Sequence, residues 1–180
     1  MDIRQAEPSD ALAIADIYNH YVTETVITFE EEPVTVSEIV RRMAEVRSAS
    51  LPWLVAEESD SIEGYAYAHP WKSRSAYRFS VEATVYIAPR HVGRGIGSLL
   101  YGQLLSMLRA QKIHSVIGGI TLPNEASVAL NEKFGLRKVA EFHEVGFKFG
   151  RWIDVGIGSA RCDRGQRLAR CKSDFDAGRR

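Results

Sequence analysis

The sequence lacks the features that would mark a membrane, secreted or polyanion-binding protein. Among its 180 residues, no apolar run approaches the ~18 residues of a membrane-spanning helix. The first residues, Met1–Pro8, have no apolar core and carry early acidic residues, so they do not resemble a secretory signal. The 23 basic and 23 acidic residues balance, which argues against a bulk electrostatic grip on a polyanion. We therefore expect neither a nucleic-acid partner nor a membrane partner.

Cysteine is scarce, and the positions of the two cysteines do not suit a disulfide scaffold. The two cysteines, Cys162 and Cys171, lie in the last twenty residues, whereas a disulfide scaffold would spread them through the fold. No His/Cys cluster has zinc-ligand spacing, because the five histidines are scattered, at His20, His69, His91, His114 and His143. The sequence therefore predicts no metal site, and a cytoplasmic location is the default expectation.

The composition predicts one domain followed by a tail. Residues 1–160 contain no internal repeat and no Pro/Gly/Ser linker, and a chain of this length can bury one sizeable core. Residues 161–180 are basic and polar, and we predict that they form a flexible tail. The tail carries a charge of +4, because it has seven basic and three acidic residues, and it leaves −4 on residues 1–160.

Apolar periodicity predicts strands and helices that alternate along the chain. Helices are predicted after Ser9 or Asp10, after a capping box at Thr35–Glu38, from Gly95 to Lys112, and after Asn124. Strands are predicted at 3–5, 53–57, 62–68, 80–87, 115–120, 136–145 and 152–159. This order, β-α-α-β-β-β-α-β-α-β-β, predicts an α/β (α+β) protein with a mixed sheet and helices on its faces.

A glycine-rich turn is the strongest local signal. Arg90–Ser98 links the 80–87 strand to the long helix, and its three alternate glycines allow positive φ and a close approach to a ligand. The N–H groups and the dipole at the helix start favour a phosphate, and Arg90 and Arg94 add cationic donors. The spacing matches neither a P-loop nor G-x-G-x-x-G, because Ser98 falls near the third glycine. A turn that needs glycine for its geometry alone is the alternative.

The wider pattern resembles the GNAT N-acetyltransferases from Ile3 to about Ser159. Arg90-x-x-Gly93-x-Gly95 has the form [QR]-x-x-G-x-[GA], and Pro123-Asn124 and Lys133–Gly135 follow at later positions. The resemblance implies a mostly antiparallel central sheet with helices on both faces, and acetyl-CoA as cofactor. It assigns the acetyl and pantetheine end to Val85, Tyr86 and Ile87, and the pantetheine arm also to Asn124 and Ser127. It assigns the pyrophosphate to Arg90, Val92, Gly93, Arg94, Gly95, Ile96, Gly97 and Ser98.

Longer strings resemble one subgroup, the phosphinothricin and methionine sulfoximine N-acetyltransferases. The strings include Asn19–Tyr21, Thr28-Phe29, Pro52–Glu57, Gly64–Ala68, Pro70–Tyr77, Val81–Tyr86 and Gly146–Gly156. The resemblance implies acetylation of the α-amino group of a small amino-acid analogue and a homodimer with Trp152 and Asp154 at its interface. The implied substrate residues are Phe29, Lys72, Arg74, Tyr77, Glu82 and Thr84. A solvated basic loop at 72–77, and a monomeric hairpin with Trp152 in the core, remain alternatives.

Glu82 is the candidate for proton transfer. It lies on an otherwise apolar strand where Val81, Ala83, Val85 and Ile87 face one way and Glu82, Thr84 and Tyr86 the other. An ammonium must lose a proton before it can attack an acyl group, and a carboxylate in a half-buried cleft can accept that proton. An ion pair with Arg78 or Arg90 is the alternative.

One departure from the family keeps other functions open. Asn131 stands where the family has Tyr and the subgroup often has His, and an amide cannot act as a general acid at neutral pH. A non-catalytic CoA-binding module is therefore one alternative. A second is transfer to a polyamine, an aminoglycoside or a protein N-terminus, which the acidic run Glu30–Glu32 leaves open. His20 and His143 are further candidate proton shuttles.

Overall fold

The computed structural model describes residues 1–162, which form a seven-stranded sheet with helices on both faces. The helices are α1 (Ala11–Glu24), α2 (Val36–Ser48), α3 (Ile96–Ala110) and α4 (Glu125–Lys133). The strands are β1 (Asp2–Gln5), β2 (Trp53–Glu58), β3 (Ser61–Pro70), β4 (Ser80–Ile87), β5 (Ser115–Leu122), β6 (Arg137–Lys148) and β7 (Arg151–Arg161). Within this part of the chain, no helix is long and apolar enough to cross a membrane.

The sheet has the strand order β1-β2-β3-β4-β5-β7-β6. Every neighbouring pair is antiparallel except β4 and β5, which are parallel. The parallel pair requires a crossover, and α3 supplies it. The prediction of a mixed, mostly antiparallel sheet is therefore confirmed.

The first core lies between the sheet and the α1/α2 pair. The predicted stripe of α1 is buried there, and Ile14, Ile17, Tyr18 and Tyr21 are each at most 9% exposed. The start of α2 is fixed by the Thr35 hydroxyl, which accepts a hydrogen bond from the Glu38 N–H at 3.2 Å. This packing places the loop between the two helices, residues 25–35, over the same face of the sheet as Tyr86.

The second core lies under α3 and α4 on the opposite face. Leu100, Leu104 and Leu108 of α3 are completely buried against the odd-numbered side of β4, as the alternation in the sequence predicts. The Asn124 side chain caps α4 by accepting from the Ser127 N–H at 3.1 Å. Because β4 has a core on each face, its residues connect the two halves of the molecule.

The late hairpin is longer than the sequence predicts. β6 and β7 meet at a two-residue turn in which Phe149 and Gly150 both have positive φ, and this turn type suits a twisted hairpin. β7 continues through Arg161, and Cys162 is buried, with its N–H bonded to the His114 carbonyl at 2.8 Å. The ordered fold therefore ends at least two residues beyond the predicted boundary at 160, while the rest of the predicted tail and Cys171 lie outside the described residues.

Candidate functional site

A gap between β4 and β5 is the main irregularity of the sheet. The two strands pair only over Ser80–Glu82 with Ser115–Ile117, although β4 continues to Ile87 and β5 to Leu122. On their other edges β4 stays paired with β3, and β5 with β7, over their whole lengths. The strands therefore separate after Glu82, and the backbone of residues 83–87 of β4 faces the gap with its hydrogen-bonding groups available to a ligand.

The glycine turn closes one end of this gap. Gly93 and Gly95 have φ of +85° and +83°, and a Cβ at either position would meet no atom within 4 Å. Glycine is needed here for its backbone conformation, and the turn faces open space. Gly95 also caps α3, whose first N–H groups have no carbonyl one turn earlier to bond. The turn thus combines exposed amides with a helix N-terminus, an arrangement suited to a phosphate group.

A groove of about 560 Å³ runs from the gap to the turn. Most of the predicted coenzyme residues line it: Val85, Tyr86, Ile87, Val92, Gly93, Gly95, Ile96, Gly97, Ser98, Asn124 and Ser127. The groove brings together a strand edge, a turn and the start of α4. Its size and its backbone donors fit an extended ligand that carries a phosphate at one end.

The predicted arginines of the turn point elsewhere. Arg90 Nε donates to His91 Nε2 at 2.7 Å, and Arg94 Nη1 lies 2.6 Å from His91 Nδ1. Arg90 also donates to the Ser61 hydroxyl and lines a separate cavity of about 650 Å³ beside β2 and α1. The buried Glu63 carboxylate contacts the His91 ring, so that Glu63 joins the two arginines and His91 in one cluster. His91, rather than Arg90 or Arg94, is the residue of this cluster that lines the groove.

Sequence reasoning did not identify the groove residues that come from distant segments. Lys133, in the last turn of α4, lines the groove and donates to the Ser98 hydroxyl at 2.8 Å, so a cation lies at the start of α3. His20, Tyr21 and Ile27 approach from α1 and the loop after it, and the Tyr21 hydroxyl donates to the Ile87 carbonyl at 2.6 Å. The sequence predicts His20 only as a proton shuttle, and Tyr21 and Lys133 lie only within strings that carry the resemblance. Their places in the groove arise when α1 and α4 pack on either side of β4.

Glu82 lies where the pairing of β4 and β5 ends. Its side chain is 27% exposed, and its Oε2 is 3.7 Å from His69 Nε2, whereas the predicted partner Arg90 contacts His91 and Ser61. Arg78 instead packs on the Phe79 ring at 4.5 Å. The Glu82 carboxylate extends toward β5, where a Cβ on Gly119 would lie only 3.1 Å from Oε1. The lack of a side chain at Gly119 therefore makes room for the carboxylate at the head of the gap.

The gap itself contains a small cavity of about 60 Å³. Thr84, Gly118, Tyr101 and Asn131 line it together with Val85 and Tyr86. Asn131 is buried, accepts from the Tyr101 hydroxyl at 3.2 Å, and donates to the Ser127 carbonyl at 2.9 Å. Burial raises the pKa of Tyr101, so its hydroxyl remains a neutral donor. Asn131 therefore has a packing and hydrogen-bonding role where the family resemblance implies an ionisable side chain.

The loop between α1 and α2 is tied to the late hairpin beside this site. The Phe29 ring covers Gly146, where a Cβ would overlap the ring. The Lys148 ammonium, whose side chain is 1% exposed, donates to the Thr28 carbonyl at 2.9 Å. Burial lowers the pKa of Lys148, and the nearby Glu30 and Glu31 oppose that shift. These two contacts, which we call the Phe29 clasp, hold residues 28 and 29 in place.

Tyrosine hydroxyls connect the clasp to β4. The Tyr18 hydroxyl contacts the Thr28 hydroxyl at 2.8 Å and donates to Glu30 at 2.9 Å. Thr28 also bonds the Tyr86 hydroxyl. Burial and the Glu30 carboxylate raise the pKa of Tyr18 to about 12, and burial raises that of Tyr86 as well. The phenols stay protonated at neutral pH and form a neutral polar wall between the α1–α2 loop and β4.

The predicted carboxylate-binding loop does not join the groove within one chain. Lys72 and Arg74 line a separate cavity of about 640 Å³ with Ser50, Gln111 and Ile113, and this cavity shares no lining residue with the groove. The Lys72 ammonium lies 4.7 Å from the centre of the Trp71 ring. Tyr77 is 40% exposed at the end of the same loop. Within one chain, Lys72, Arg74 and Tyr77 therefore lie outside the groove, as Glu82 also does, whereas Thr84 lines the small cavity in the gap.

The late hairpin also carries a polar cluster that sequence spacing does not reveal. Ligand atoms of Glu141, His143 and Asp154 lie within 4.8 Å of one another across β6 and β7. His143 Nδ1 is 3.4 Å from Asp154 Oδ2, and Lys138 pairs with Glu141. The charged side chains of this cluster therefore have partners within the hairpin. His143 lies away from the predicted site.

Comparison with known proteins agrees with the fold and the groove. A family model described as "Acetyltransferase (GNAT) domain" matches residues 3–157. A phosphinothricin N-acetyltransferase of Streptomyces coelicolor is 43% identical over 169 residues, covering 86% of this chain and 92% of that protein. An L-methionine sulfoximine/L-methionine sulfone acetyltransferase of Salmonella typhimurium is 35% identical over 155 residues, covering 86% and 91%.

A solved structure gives the same result in three dimensions. An acetyltransferase from Salmonella typhimurium, determined with its cofactor acetyl-CoA, superposes with a TM-score of 0.89 at 33% identity, covering 95% of this chain and 99% of that one. The groove described above offers backbone donors and open glycine positions that fit this cofactor. The chain therefore belongs to the GNAT family and is an acetyl-CoA-dependent N-acetyltransferase.

Proposed function

We propose that this enzyme acetylates the α-amino group of small amino-acid analogues of the phosphinothricin, methionine sulfoximine and methionine sulfone type. The acetyl group passes directly from acetyl-CoA to the amine, and Glu82 is the general base. Relatives with these named activities are 35–43% identical over most of the chain. The position of Glu82, where the pairing of β4 and β5 ends three residues before Val85 of the groove, is the observation that carries the proposal.

The chemistry assigned to Glu82 is removal of a proton from the bound ammonium. The carboxylate takes the proton, and the neutral nitrogen then attacks the acetyl carbonyl carbon, so that a C–N bond forms as the C–S bond breaks and the nitrogen releases its second proton to solvent. The unpaired edge of β4 around Val85 offers backbone N–H groups to the developing oxyanion. Acetyl-CoA supplies the activated acyl group. The departing thiolate takes its proton from solvent, since Asn131 has none to give at neutral pH.

Direct transfer is favoured over a covalent acyl-enzyme. A thiol nucleophile must be exposed beside the acyl donor and carry a base nearby. Cys162 is buried in the second core at the end of β7, outside the residues that line the groove. Cys171 lies outside the described residues. The amine is therefore the nucleophile that the site can supply.

The substrate class follows from the charges near the acceptor end. An amino acid brings a carboxylate, for which Arg74 is the proposed fork-shaped partner and Lys72 a second cation. A polycationic acceptor would need free acidic groups, but Glu30 is engaged by Arg42 at 2.7 Å and by Tyr18 at 2.9 Å. The acidic run Glu30–Glu32, which left a polyamine acceptor as an alternative, is therefore partly neutralised.

A homodimer is part of the proposal, because within one chain Lys72 and Arg74 line a cavity separate from the groove. The outer face of the β6–β7 hairpin exposes Phe142, Phe147, Phe149 and Trp152, each at least 52% exposed. Phe147 and Trp152 pack together, with ring centres 5.0 Å apart. Trp152 is therefore a surface residue rather than a core anchor, and an apolar face of this kind suits a second copy of the chain. We propose that the 72–77 loop of one protomer reaches the acceptor site of its partner.

The experiment is a thiol-release assay with a panel of amines. Phosphinothricin, methionine sulfoximine and methionine sulfone are expected to be acetylated, whereas spermidine and an aminoglycoside are expected to be poor acceptors. Arg74→Ala should raise KM for these amino acids at least tenfold and leave KM for acetyl-CoA unchanged. Acetyl-CoA binding without turnover of any of the three analogues would contradict the proposed substrate class.

Mixing two inactive variants tests the shared site. Arg74→Ala and Glu82→Gln protomers are each impaired, but a mixed dimer in which the loop crosses the interface contains one intact site. After unfolding and refolding together, the mixture should recover up to about a quarter of wild-type activity at low substrate concentration. No recovery, with mixed dimers demonstrated by differential tagging, would place Arg74 outside the partner's acceptor site.

A further inference from the structure

His69 lies directly opposite Glu82 in the sheet. The β3–β4 register pairs the two residues, and their side chains lie on the same face, with His69 Nε2 3.7 Å from Glu82 Oε2. The imidazole is 38% exposed, whereas the carboxylate is 27% exposed. The histidine thus lies beside the proposed base and is the more exposed of the two.

The other ring nitrogen indicates which tautomer is present. His69 Nδ1 lies 3.2 Å from the Pro70 carbonyl oxygen, which can only accept a hydrogen bond. The Nδ1 position therefore carries the proton, and in the neutral ring Nε2 presents a lone pair toward Glu82. A lone pair and a carboxylate repel each other until one proton is placed between them. A hydrogen bond between the two side chains therefore forms once Glu82 has accepted a proton.

We infer that His69 relays the proton from Glu82 to solvent, an inference that rests on the proposed role of Glu82 as base. The substrate ammonium gives one proton to the Glu82 carboxylate, which becomes a carboxylic acid. This acid gives the proton to His69 Nε2, and the resulting imidazolium releases it to water. Imidazole binds a proton about a hundred times more tightly than a carboxylate in water, so the relay makes deprotonation of the amine less unfavourable. His69 acts through Glu82 and is a positioning residue rather than a catalytic one.

Near neutral pH, the groups around Glu82 and His69 do not take part in the proton transfer between them. Tyr67 on β3 and Tyr101 on α3 both interact electrostatically with Glu82, and burial raises the pKa of each phenol, so both remain protonated. The Arg42–Glu30 pair, from α2 and the loop before it, is the nearest charged pair that also acts on Tyr67. Its two charges neutralise each other.

The test is the pH dependence of kcat in two His69 variants, with chemical rescue. His69→Gln keeps a polar side chain of similar length but cannot carry the proton, and His69→Ala leaves a gap that free imidazole can enter from solvent. We expect kcat of both variants to fall about tenfold at neutral pH and the acid limb of the wild-type kcat profile to disappear. Added imidazole should restore kcat of His69→Ala in proportion to the imidazole base present.

His143→Ala is the matched control. His143 is 76% exposed on β6 and pairs with Glu141 and Asp154, so it is a histidine ion-paired with carboxylates at a different place. This variant should keep the wild-type profile and show no response to imidazole. If His69→Ala also kept the wild-type profile, or if imidazole left its reduced kcat unchanged, the relay would be wrong.

Glu82→Gln separates this inference from the proposal beneath it. If Glu82→Gln retains wild-type kcat, the proposed base is wrong and the relay falls with it. If Glu82→Gln is inactive while the His69 variants behave like wild type, the base stands and only the relay is wrong. If His69→Gln fails to fold, as circular dichroism would show, His69→Ala carries both readouts. If His69→Ala fails to fold, the pH profile of His69→Gln still tests the relay.

Discussion

The coenzyme end and the acceptor end of the β4–β5 gap are built from different kinds of contact. At the coenzyme end, one continuous segment from β4 through the glycine turn to α3 supplies most of the groove, largely through backbone. At the acceptor end, side chains from β3, β4, β6 and the α1–α2 loop are held by contacts such as Lys148 to Thr28, which are 120 residues apart. Recognition at the first end depends on backbone conformation, and at the second on long-range packing.

This difference predicts that the two ends can be damaged separately. A backbone site is sensitive to conformational strain but tolerant of side-chain change. A side-chain site loses function when one charge or one distant support is removed. Substitutions at the acceptor end should therefore change kcat or the amine KM alone, and substitutions in the turn should change acetyl-CoA affinity alone.

The largest effect is expected from Glu82→Gln at the acceptor end. The amide keeps the size of the side chain but cannot accept the substrate proton, so kcat should fall by roughly 10²- to 10⁴-fold. The Kd for acetyl-CoA, measured by isothermal titration calorimetry, should stay within twofold of wild type. Glu58→Gln, which alters an exposed glutamate of β2 paired with the chain N-terminus, is the control and should leave kcat unchanged.

A second, smaller effect is expected from Gly95→Val at the coenzyme end. A β-branched residue is strained at φ +83°, and its side chain would occupy the open space that the turn presents to a ligand. We expect the acetyl-CoA Kd to rise ten- to a hundredfold, with an unchanged amine KM at saturating acetyl-CoA.

Gly135→Val provides the matched comparison for this substitution. Gly135 has φ +84° and equally open space after α4, so it imposes the same backbone strain at a position that does not line the groove. Both variants should lose about 1–3 kcal/mol of unfolding free energy. If Gly135→Val weakened acetyl-CoA binding as much as Gly95→Val, the loss would be a general effect of destabilisation, and the turn would not be a binding site.

A third effect is expected from Lys148→Met in the Phe29 clasp. Methionine fills much of the same space but leaves the Thr28 carbonyl without its donor, which frees residues 28 and 29 beside the acceptor site. The amine KM should rise about five- to tenfold, while kcat at saturation and the acetyl-CoA Kd stay near wild type. Lys138→Met, on the same strand, is the control. An equal rise of the amine KM in both variants would show that the Phe29 clasp does not position the substrate.

The smallest functional effect is expected from Asp10→Asn, which lies outside both ends. Hydrogen bonds from Arg4 lower the pKa of Asp10 in the folded protein. A lowered pKa stabilises the fold above the unfolded value near 3.9, and this stabilisation is lost as the pH falls below about 4. At pH 7 the variant should lose about 1–3 kcal/mol of unfolding free energy, measured by urea titration, with unchanged kcat and KM. The difference from wild type should shrink toward pH 3.

Most residues predicted for the coenzyme come together in one groove, because the signals that place them are local. The alternation of Ser80–Ile87, the glycines at 93 and 95, and the Asn124 cap each act within a few residues, and the structure brings them to one groove. The helices on both faces of the sheet follow from apolar stripes in the same way. A short stretch of chain is enough to fix these conformations.

The acceptor end could not be predicted in the same detail. His69 stands opposite Glu82 because of the β3–β4 register, and Lys148 meets Thr28 because the β6–β7 hairpin folds back beside α1. Neither spacing has a signature in the sequence. The orientation of Arg90 and Arg94 toward His91 depends on the buried Glu63 of β3, which is likewise distant in the chain.

The most direct test of the division between the two ends is a crystal structure with CoA and methionine sulfone bound together. We predict that the pyrophosphate lies against the amides of Gly93, Gly95 and Gly97, and that the thiol end enters the β4–β5 gap. The amino group of methionine sulfone should then lie within hydrogen-bond reach of Glu82, directly or through one water. An amino group that approaches the thiol from elsewhere, with Glu82 turned away from it and bonded only within the protein, would contradict the proposed acceptor site.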